Sequence, residues 1–322
     1  MSTLRILAAS CVAATFAVGA SAQTVGIVAT APGTLTHSYS TAVAKAVADK
    51  TKLEVRVIAQ GASPQYSITA GTGEFGLSNS FDTIFFLLGT GEYEGEGKHP
   101  NLRVVGNLTP LLSTIWVKKD SAIRTPADLK GKRIGSGFTA QKTILRIFEA
   151  QLATVGLTYK DVRGVPTANV ATGADDFGAG KTDAFTFGLS AAKVKEIDAK
   201  VGGLRGLSFP ETPAADAALA KILPGAYHIK VSPAPQYDGI LGPTNVTAFD
   251  FLLITSTKVP DDVVYQVTKA IHDGKDIMAA TFPPLRSNDP SKLAAKQYPP
   301  LEYHPGAIKY YKEIGQWPPK NG

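Results

Sequence analysis

Ser136, Thr139 and Thr143 place hydroxyl groups in and beside a loop of small residues, within residues 131–156. Residues 141–155 carry apolar side chains at helical spacing, so a helix is predicted directly after the loop. The backbone N–H groups of such a loop and the positive end of its helix point at one place, which suits an anion. The hydroxyl groups would add hydrogen-bond donors. An ordinary turn between a strand and a helix, without a ligand, is the alternative that this loop leaves open.

The loop does not match two common phosphate-binding motifs. A P-loop has Gly directly before its Lys-Thr pair, whereas Gln141 precedes Lys142 and Thr143 here. A dinucleotide-binding loop has an acidic residue at the end of the next strand, whereas Asp161 is expected in a turn after the helix. Lys142 is either a partner for a ligand carboxylate or a solvated lysine at the start of the helix.

The residue types that metal binding and catalysis require are not arranged for either. Asp175 and Asp176 are adjacent, so on a helix their side chains point about 100° apart and form no shared acid–base site. The G-x-S-x-G sequence of a nucleophile elbow does not occur. The histidines lack the spacing of metal ligands: His37, His99, His228, His272 and His304. We therefore predict that the protein is not an enzyme and has no metal or cofactor.

The first 22 residues predict a signal peptide. Arg5 supplies a positive charge, residues 6–19 are apolar but too few to span a bilayer, and residues 20–22 form an A-x-A cleavage site. The mature chain is therefore expected to begin at Gln23 and to be located in the periplasm. Cys11 is the only cysteine, so the mature chain would have no disulfide.

The composition is that of a folded protein with one large or two medium domains. The chain has 322 residues, of which 44% are hydrophobic and 19% are charged. Its net charge is +6, and removal of Arg5 would leave +5. This mild basic excess permits attraction of anionic solutes. Because the Lys and Arg residues form no cluster, we expect no nucleic-acid partner.

The order of strand, loop and helix occurs twice. Residues 24–30 predict a strand and residues 39–51 a helix, with small residues between them, as in residues 131–156. This repeated order would be explained by two lobes that each direct such a helix N-terminus into a shared cleft. Strands predicted at residues 114–118 and 245–255 would carry the chain into a second lobe and back.

The predicted fold class is accordingly α/β with two lobes. Lobe I would be discontinuous and comprise residues 23–114 plus 247–322. Lobe II would comprise residues 115–246.

Four segments resemble a known family. Residues 303–315, YHPGAIKYYKEIG, resemble the closing signature of the TAXI-type solute-binding proteins of TRAP (tripartite ATP-independent periplasmic) transporters. Residues 120–135, DSAIRTPADLKGKRIG, resemble a run shared more widely among periplasmic binding proteins. Residues 180–184 and 30–39 are similar to two further family segments, the second being the first ligand loop.

This resemblance implies a type II-like periplasmic binding protein, with two mixed α/β sheets joined by hinge strands. Such a protein, expected to be a monomer, closes on a small solute and delivers it to a sodium-driven TRAP permease. The implied ligand is a small organic anion: a carboxylate, a dicarboxylate or an acidic amino acid. A periplasmic sensor lobe for a membrane receptor and a secreted enzyme on the same fold are the alternatives.

The ligand loops of the family correspond to four segments of this chain. Phe138 departs from the family pattern, which has Thr directly after Gly. Phe138, Phe185 and Phe187 either form an aromatic wall of the pocket or face the core. The residues expected to bind ligand are Thr30, Gly33, Thr34, Tyr39, Gly61, Ser63, Ser78, Asn79, Ser80, Gly137, Phe138, Thr139, Ala140, Gln141 and Phe185.

Overall fold

The computed structural model describes residues 23–297 and 301–319. The predicted signal peptide, residues 1–22, lies outside the described residues. The described strands are β1 Thr24–Ala29, β2 Glu54–Ala59, β3 Phe75–Asn79, β4 Leu102–Asn107, β5 Leu111–Lys118, β6 Arg133–Gly137, β7 Arg163–Thr167, β8 Phe185–Gly188, β9 Leu204–Gly206, β10 Tyr227–Val231, β11 Thr244–Phe249 and β12 Phe251–Ser256. The described α-helices are α1 Leu35–Lys50, α2 Pro64–Ala70, α3 Ser80–Leu88, α4 Thr143–Ala153, α5 Val170–Gly178, α6 Ala192–Val201, α7 Pro213–Ile222, α8 Asp261–Asp273, α9 Lys275–Thr281 and α10 Pro305–Glu313.

The first sheet has the strand order β2-β1-β3-β12-β4. Strands β1, β2 and β3 are parallel, whereas β12 runs antiparallel to both of its neighbours. The residues of β3 and β12 are buried throughout, and β1 is buried after its first residue, which is typical of strands covered on both faces. Helices α1, α8, α9 and α10 pack against one another beside this sheet. This sheet and its helices are called lobe I below.

The second sheet has the order β10-β11-β5-β8, with β9 also paired to β5, and its strands are antiparallel. Strands β6 and β7 form a parallel pair. A single bridge between Ile134 and Ala184 joins that pair to the edge where β8 begins. These strands, with helices α4 to α7, are called lobe II below.

The chain crosses between the lobes at two short connections. It leaves lobe I through residues 108–110, between β4 and β5, and returns at Asp250, between β11 and β12. Phe249 lies opposite Leu111 in the second sheet. The predicted lobes, residues 23–114 plus 247–322 and residues 115–246, remain a proposal whose limits differ from these connections by a few residues.

Two strands replace the one that the sequence predicts over residues 245–255. The apolar run is nearly continuous in sequence, but Asp250 separates β11 from β12, and the two strands pair in different sheets. The backbone carbonyl of Asp250 accepts a hydrogen bond from the Ser80 N–H at 3.0 Å, at the start of α3. The single-strand prediction was therefore wrong. Tertiary packing decides in which sheet each half of the run pairs, and the run of apolar residues does not reveal this.

Both predicted strand, loop and helix segments are present as β1–α1 and β6–α4. Helix α1 begins at Leu35, four residues before the predicted start, because the Thr34 side chain accepts the His37 N–H at 3.3 Å and caps the helix. Helix α4 begins at Thr143, and its buried residues include Ile144, Ile147 and Phe148. Each loop therefore leads into a helix N-terminus that faces the other lobe.

Candidate functional site

A cavity of about 70 Å³ lies between the two sheets and is lined by residues of both lobes. Lobe I contributes Thr30, Thr34, Leu35, Thr36, Ser63, Pro64, Gln65, Leu77, Ser78, Asn79, Asp82 and Phe251. Lobe II contributes Leu111, Ser113, Gln141, Thr143, Ile144, Ile147, Val170, Thr186, Phe187, Gly188 and Phe249. Since one water needs about 10–15 Å³, a space of this size suits a small solute.

Four helices of nine or more residues present their N-terminal turns to this cavity. Leu35 begins α1, Thr143 begins α4 and Val170 begins α5, and all three line the cavity. Asn79 precedes α3 as its N-cap, and Asp82 is the third residue of that helix. The positive end of each helix dipole favours negative charge or acceptor atoms of a ligand.

Hydroxyl groups of lobe I are held in place at the start of α1. The Oγ1 atoms of Thr30 and Thr34 lie 2.7 Å apart, and Thr34 Oγ1 also donates to the Ala31 carbonyl at 2.7 Å. Both threonines are 3% exposed. Their positions are therefore fixed by the loop before a ligand arrives, which lowers the entropy lost on binding.

Lobe II contributes a second group of hydrogen-bonded polar side chains. Thr186 Oγ1 donates to Gln151 Oε1 at 2.8 Å, and Gln151 Nε2 lies 3.4 Å from Ser113 Oγ. Gln141 Oε1 accepts the N–H of Val170 at 3.2 Å, which ties the loop before α4 to the start of α5. Ser113, Thr186 and Gln141 all line the cavity, so this wall presents neutral polar groups that are already oriented.

Asp82 is the only ionisable side chain among the residues that line the cavity in the described chain. Tyr93 OH donates to its Oδ1 at 2.7 Å, and Gln65 Nε2 and Ser78 Oγ lie beside its Oδ2. Burial raises the pKa of Asp82, while hydrogen bonds from Tyr93, Gln65, Thr143 and Ser78 oppose that rise. No arginine, lysine or histidine in the described part of the lining balances its charge.

Two polar atoms in the described wall are buried without a hydrogen-bond partner in the protein. They are Gln65 Oε1 and Asn79 Oδ1. Buried polar groups are normally paired, because leaving one unpaired costs about 1–3 kcal/mol. Since both residues line the cavity, a ligand or an ordered water can supply the missing partners.

The structure brings six of the predicted ligand residues into one cavity. These come from four separate loops of the sequence, and they meet where strand ends and helix starts converge: Thr30, Thr34, Ser63, Ser78, Asn79 and Gln141. Their contact with a ligand stays a prediction. Their common location follows from the topology, since parallel strands place their carboxyl ends at one edge of a sheet.

Three predicted aromatic residues lie in the cores of the lobes, outside the cavity lining. The Tyr39 ring packs edge-on against Phe251, with 5.1 Å between ring centroids. Phe185 packs against Phe177 at 4.7 Å. Phe138 is 2% exposed, and its φ of 43° turns the ring toward Gly135 in its own lobe. Of the three phenylalanines considered for a pocket wall, only Phe187 lines the cavity.

The other predicted residues also lie outside the lining. Thr139 is exposed and Ala140 half-buried, in the loop before α4. Ser80 is buried with its N–H bonded to Asp250. Gly137 is exposed at the end of β6, and Gly61 lies across from Asn169 of lobe II. These residues shape the loops rather than the wall.

Gly33 belongs to a set of contacts that join the two lobes around the cavity. Its carbonyl accepts the N–H of Lys193, in lobe II, at 3.0 Å. Leu35 packs so closely on Gly188 that a Cβ atom at Gly188 would lie 2.3 Å from Leu35 Cδ1. The lobes are thus closed against each other on the side where α1 begins.

In the described residues, two ion pairs also join the lobes. Arg146 Nε lies 3.3 Å from Glu92 Oε2, and Lys142 is paired with Glu96. Lys142 therefore faces a carboxylate of lobe I, and it does not line the cavity. The Lys142 side chain is 38% exposed, which agrees with a partly solvated lysine at the start of α4.

Sequence reasoning missed Asp82 and Gln65 as lining residues, whereas Thr143 was expected as a hydroxyl donor and does line the cavity. Asp82 occupies the first turn of α3. Gln65 stands two residues after Ser63, at the start of α2. The sequence feature that could have indicated Asp82 and Gln65 is that both follow small-residue loops at strand ends. Their contact with each other could not be predicted, because they are 17 residues apart in the sequence.

The family of the chain follows from a match over most of its length. Residues 27–315 match the model of the NMT1-like family. The chain belongs to the NMT1-like family. The match covers both lobes and every segment that lines the cavity, so the whole two-lobed unit is what the family shares. The finer TAXI subtype is not distinguished by this match.

Solved structures confirm the predicted fold of this NMT1-like chain. A periplasmic transporter is 14% identical, covers 91% of this chain and 93% of its own, and has a TM-score of 0.55. The alkanesulfonate-binding protein SsuA of Xanthomonas axonopodis pv. citri, bound to MOPS, is 18% identical over 84% of this chain and 82% of its own, with a TM-score of 0.52. These similarities show a two-lobed periplasmic binding protein fold with mixed α/β sheets.

A third similar structure has the same architecture at lower identity. The ligand-binding component of an ABC-type import system from Staphylococcus aureus, with zinc bound, is 10% identical, covers 93% of this chain and 94% of its own, and has a TM-score of 0.54. Within residues 23–297 and 301–319, three or more His, Cys, Asp or Glu side chains nowhere gather as a metal site would require. In the same residues, no helix has the length and apolar character needed to cross a membrane.

Proposed function

We propose that this protein is a periplasmic solute-binding protein that captures a small organic anion by closure of its two lobes. The observation that carries the proposal is the cavity between the lobes, which both lobes line and toward which four helix N-termini of the described residues point. The ligand class is a carboxylate, a dicarboxylate or an acidic amino acid. The protein acts as a monomer without a metal or cofactor.

The helix ends and hydroxyl groups supply the attraction for the anion. Each helix N-terminus favours a carboxylate by roughly 0.3–1 kcal/mol, and more where it is buried. Threonine and serine side chains from both lobes add neutral donors around the same space. The carboxylate of the ligand is held in this way without a salt bridge, so it can leave again when the lobes separate.

Closure accounts for retention of the solute. Polar groups of lobe I and lobe II face the same small space, so a ligand completes its contacts only when the two lobes meet. Hinge closure of this kind couples ligand binding to the shape of the whole molecule. A membrane partner can then distinguish the loaded protein from the empty one.

We propose a sodium-driven TRAP permease as that membrane partner. The support is the similarity of residues 303–315 to the closing signature of the TAXI family. The two-lobed fold is also that of ABC-type binding components, such as the one from Staphylococcus aureus. Uptake of the solute by vesicles that contain the cognate permease should therefore require a sodium gradient, and a requirement for ATP without sodium would contradict this assignment.

A thermal-shift screen of refolded protein tests the ligand class. Unfolding and dialysis first remove any solute that co-purifies. We expect one group of small carboxylates to raise the melting temperature by several degrees, since binding to the folded state adds stability by mass action. The matched controls are the primary amides of the same acids, which keep size and shape but lack the charge. The proposal would be contradicted if acid and amide raised the melting temperature equally. It would also be contradicted if neither raised it.

A further inference from the structure

Asp82 places a negative charge in a cavity that otherwise attracts anions. It is 3% exposed and lies on α3, with its carboxylate surrounded by neutral donors of lobe I. The nearby cations of lobe II are already paired, Arg146 with Glu92 and Lys142 with Glu96. Within the described residues the Asp82 carboxyl group therefore has no positive partner, so its charged form is costly in this buried position.

Gln65 adds a second acceptor in the same wall. Its Nε2 donates to Ser78 Oγ at 2.7 Å and to Asp82, which fixes the orientation of the amide. Its Oε1 is consequently left buried and without a donor, in a side chain that has no exposed surface. Two neighbouring side chains of lobe I thus present acceptor atoms to the cavity wall.

We propose that Asp82 and Gln65 form a binding subsite for a protonated amine, so that the solute is zwitterionic and carries an ammonium group as well as its carboxylate. This inference rests on the proposed function, because it adds a cationic group to the same anionic ligand in the same cavity. Asp82 would be the residue that selects α-amino acids over carbon-matched acids without nitrogen.

The chemistry of the two groups is complementary. An ammonium group has three N–H donors and no acceptor, so it can satisfy the Asp82 carboxylate and the Gln65 carbonyl oxygen together. The carboxylate of the solute is then left to the helix N-termini and hydroxyl groups.

Calorimetric titration of refolded protein with matched ligand pairs tests the subsite. Each pair has one carbon skeleton with and without the amine: glutamate and glutarate, aspartate and succinate, alanine and propionate. We expect the wild-type protein to prefer the amine-bearing member of the pair that binds best. In the Asp82→Asn variant, affinity for that amino acid should fall about 10- to 100-fold, the range for losing hydrogen bonds to a charged group. Affinity for the deaminated acid should not fall.

The control variant is Asp176→Asn, which neutralises another buried aspartate that pairs with Lys181 outside the cavity. It should leave the preference for the amine unchanged. The comparison of ligand pairs on wild-type protein needs no variant, so the test stands even where Asp82→Asn does not fold.

The outcomes separate this inference from the proposed function. A wild-type protein that binds the deaminated acids and rejects the amino acids overturns the amine subsite and leaves the carboxylate function intact. A protein that binds simple alkylamines as tightly as amino acids supports the amine subsite. It overturns the proposal that the solute must carry an anionic group. Binding of neither class overturns both.

Discussion

Thr34 both caps α1 and lines the cavity, so its replacement affects stability and binding together. We expect Thr34→Ala to lower the free energy of unfolding by about 1 kcal/mol, since the side chain accepts the His37 N–H. It should also weaken solute binding several-fold. Thr34→Ser retains the hydroxyl and should restore both properties, as measured by chemical denaturation and by calorimetry.

Thr139 offers the matched control for that experiment. It lies in the second small-residue loop but is exposed and outside the cavity lining. We expect Thr139→Ala to change neither the free energy of unfolding nor the solute affinity. A clear loss of affinity in this variant would mean that the loop before α4 reaches the ligand in solution.

Glu92 should make the stability of the closed protein depend on pH. Burial and the charge of Asp82 raise the pKa of Glu92 from 4.5 to about 7, against the effect of Arg146, and its Oε1 has no partner. Because the folded-state pKa is raised, the stability that neutral Glu92 provides is present at low pH and is lost as pH rises toward 7. We expect Glu92→Gln to stabilise the protein more at pH 8 than at pH 5.

Thermal unfolding of wild type and Glu92→Gln at pH 5 and pH 8 tests whether the stabilisation by this substitution increases with pH. The exposed variant Glu94→Gln serves as the control, since it removes the same charge from the same loop without burial. A larger gain for Glu92→Gln at pH 5 than at pH 8 would contradict the account.

Sequence reasoning predicted several hydroxyl residues that line the cavity, but it did not predict Asp82, the ionisable residue of the described lining. Thr30, Thr34 and Asn79 stand at strand ends, where local pattern and topology both point to a ligand site. The roles of Asp82 and Gln65 depend on contacts among residues from three elements, including Tyr93. Such contacts are set by tertiary packing, so a local pattern cannot reveal them.

At the scale of elements, the helix N-termini organise the site. Helices α1 and α4 were foreseen because their apolar residues recur at helical spacing after a small-residue loop. The loop before α4 was misjudged in one respect: Phe138 stands beside glycines and resembles a pocket residue. Its backbone φ of 43° instead directs the ring into lobe II, where it packs beside Gly135 and Gly173.

Phe138 should therefore stabilise lobe II rather than contact the solute. We expect Phe138→Ala to lower the free energy of unfolding by about 3–5 kcal/mol, because a buried aromatic ring is lost and a cavity remains. Phe138→Leu keeps most of the volume and should cost less. Denaturant unfolding measures both variants, and a Phe138→Ala protein as stable as wild type would refute the core assignment.

At the scale of the molecule, the proposed closure of the lobes would create the binding site, because residues of both lobes line the cavity. The contact between Leu35 and Gly188 lies directly at the cavity wall, and no side chain beyond hydrogen fits at position 188 without movement. We expect Gly188→Val to hold the lobes apart. Solute affinity should fall by at least about tenfold, which corresponds to 1.4 kcal/mol, while the melting temperature without ligand changes little.

Gly242→Val is the matched control for closure. Gly242 also lies in lobe II, and a Cβ atom there would contact nothing within 4 Å. This variant should bind the solute like wild type. Small-angle X-ray scattering with ligand should show compaction of wild type and Gly242→Val but not of Gly188→Val; compaction of all three would refute the role of Gly188.

Native mass spectrometry of the purified mature protein tests the central claim most directly. The account predicts one small acidic solute for each chain, retained under native conditions, lost after unfolding and dialysis, and absent from Gly188→Val. A bound mass without an acidic group would contradict the account. So would a protein that carries no solute and gains no stability from any small carboxylate after refolding.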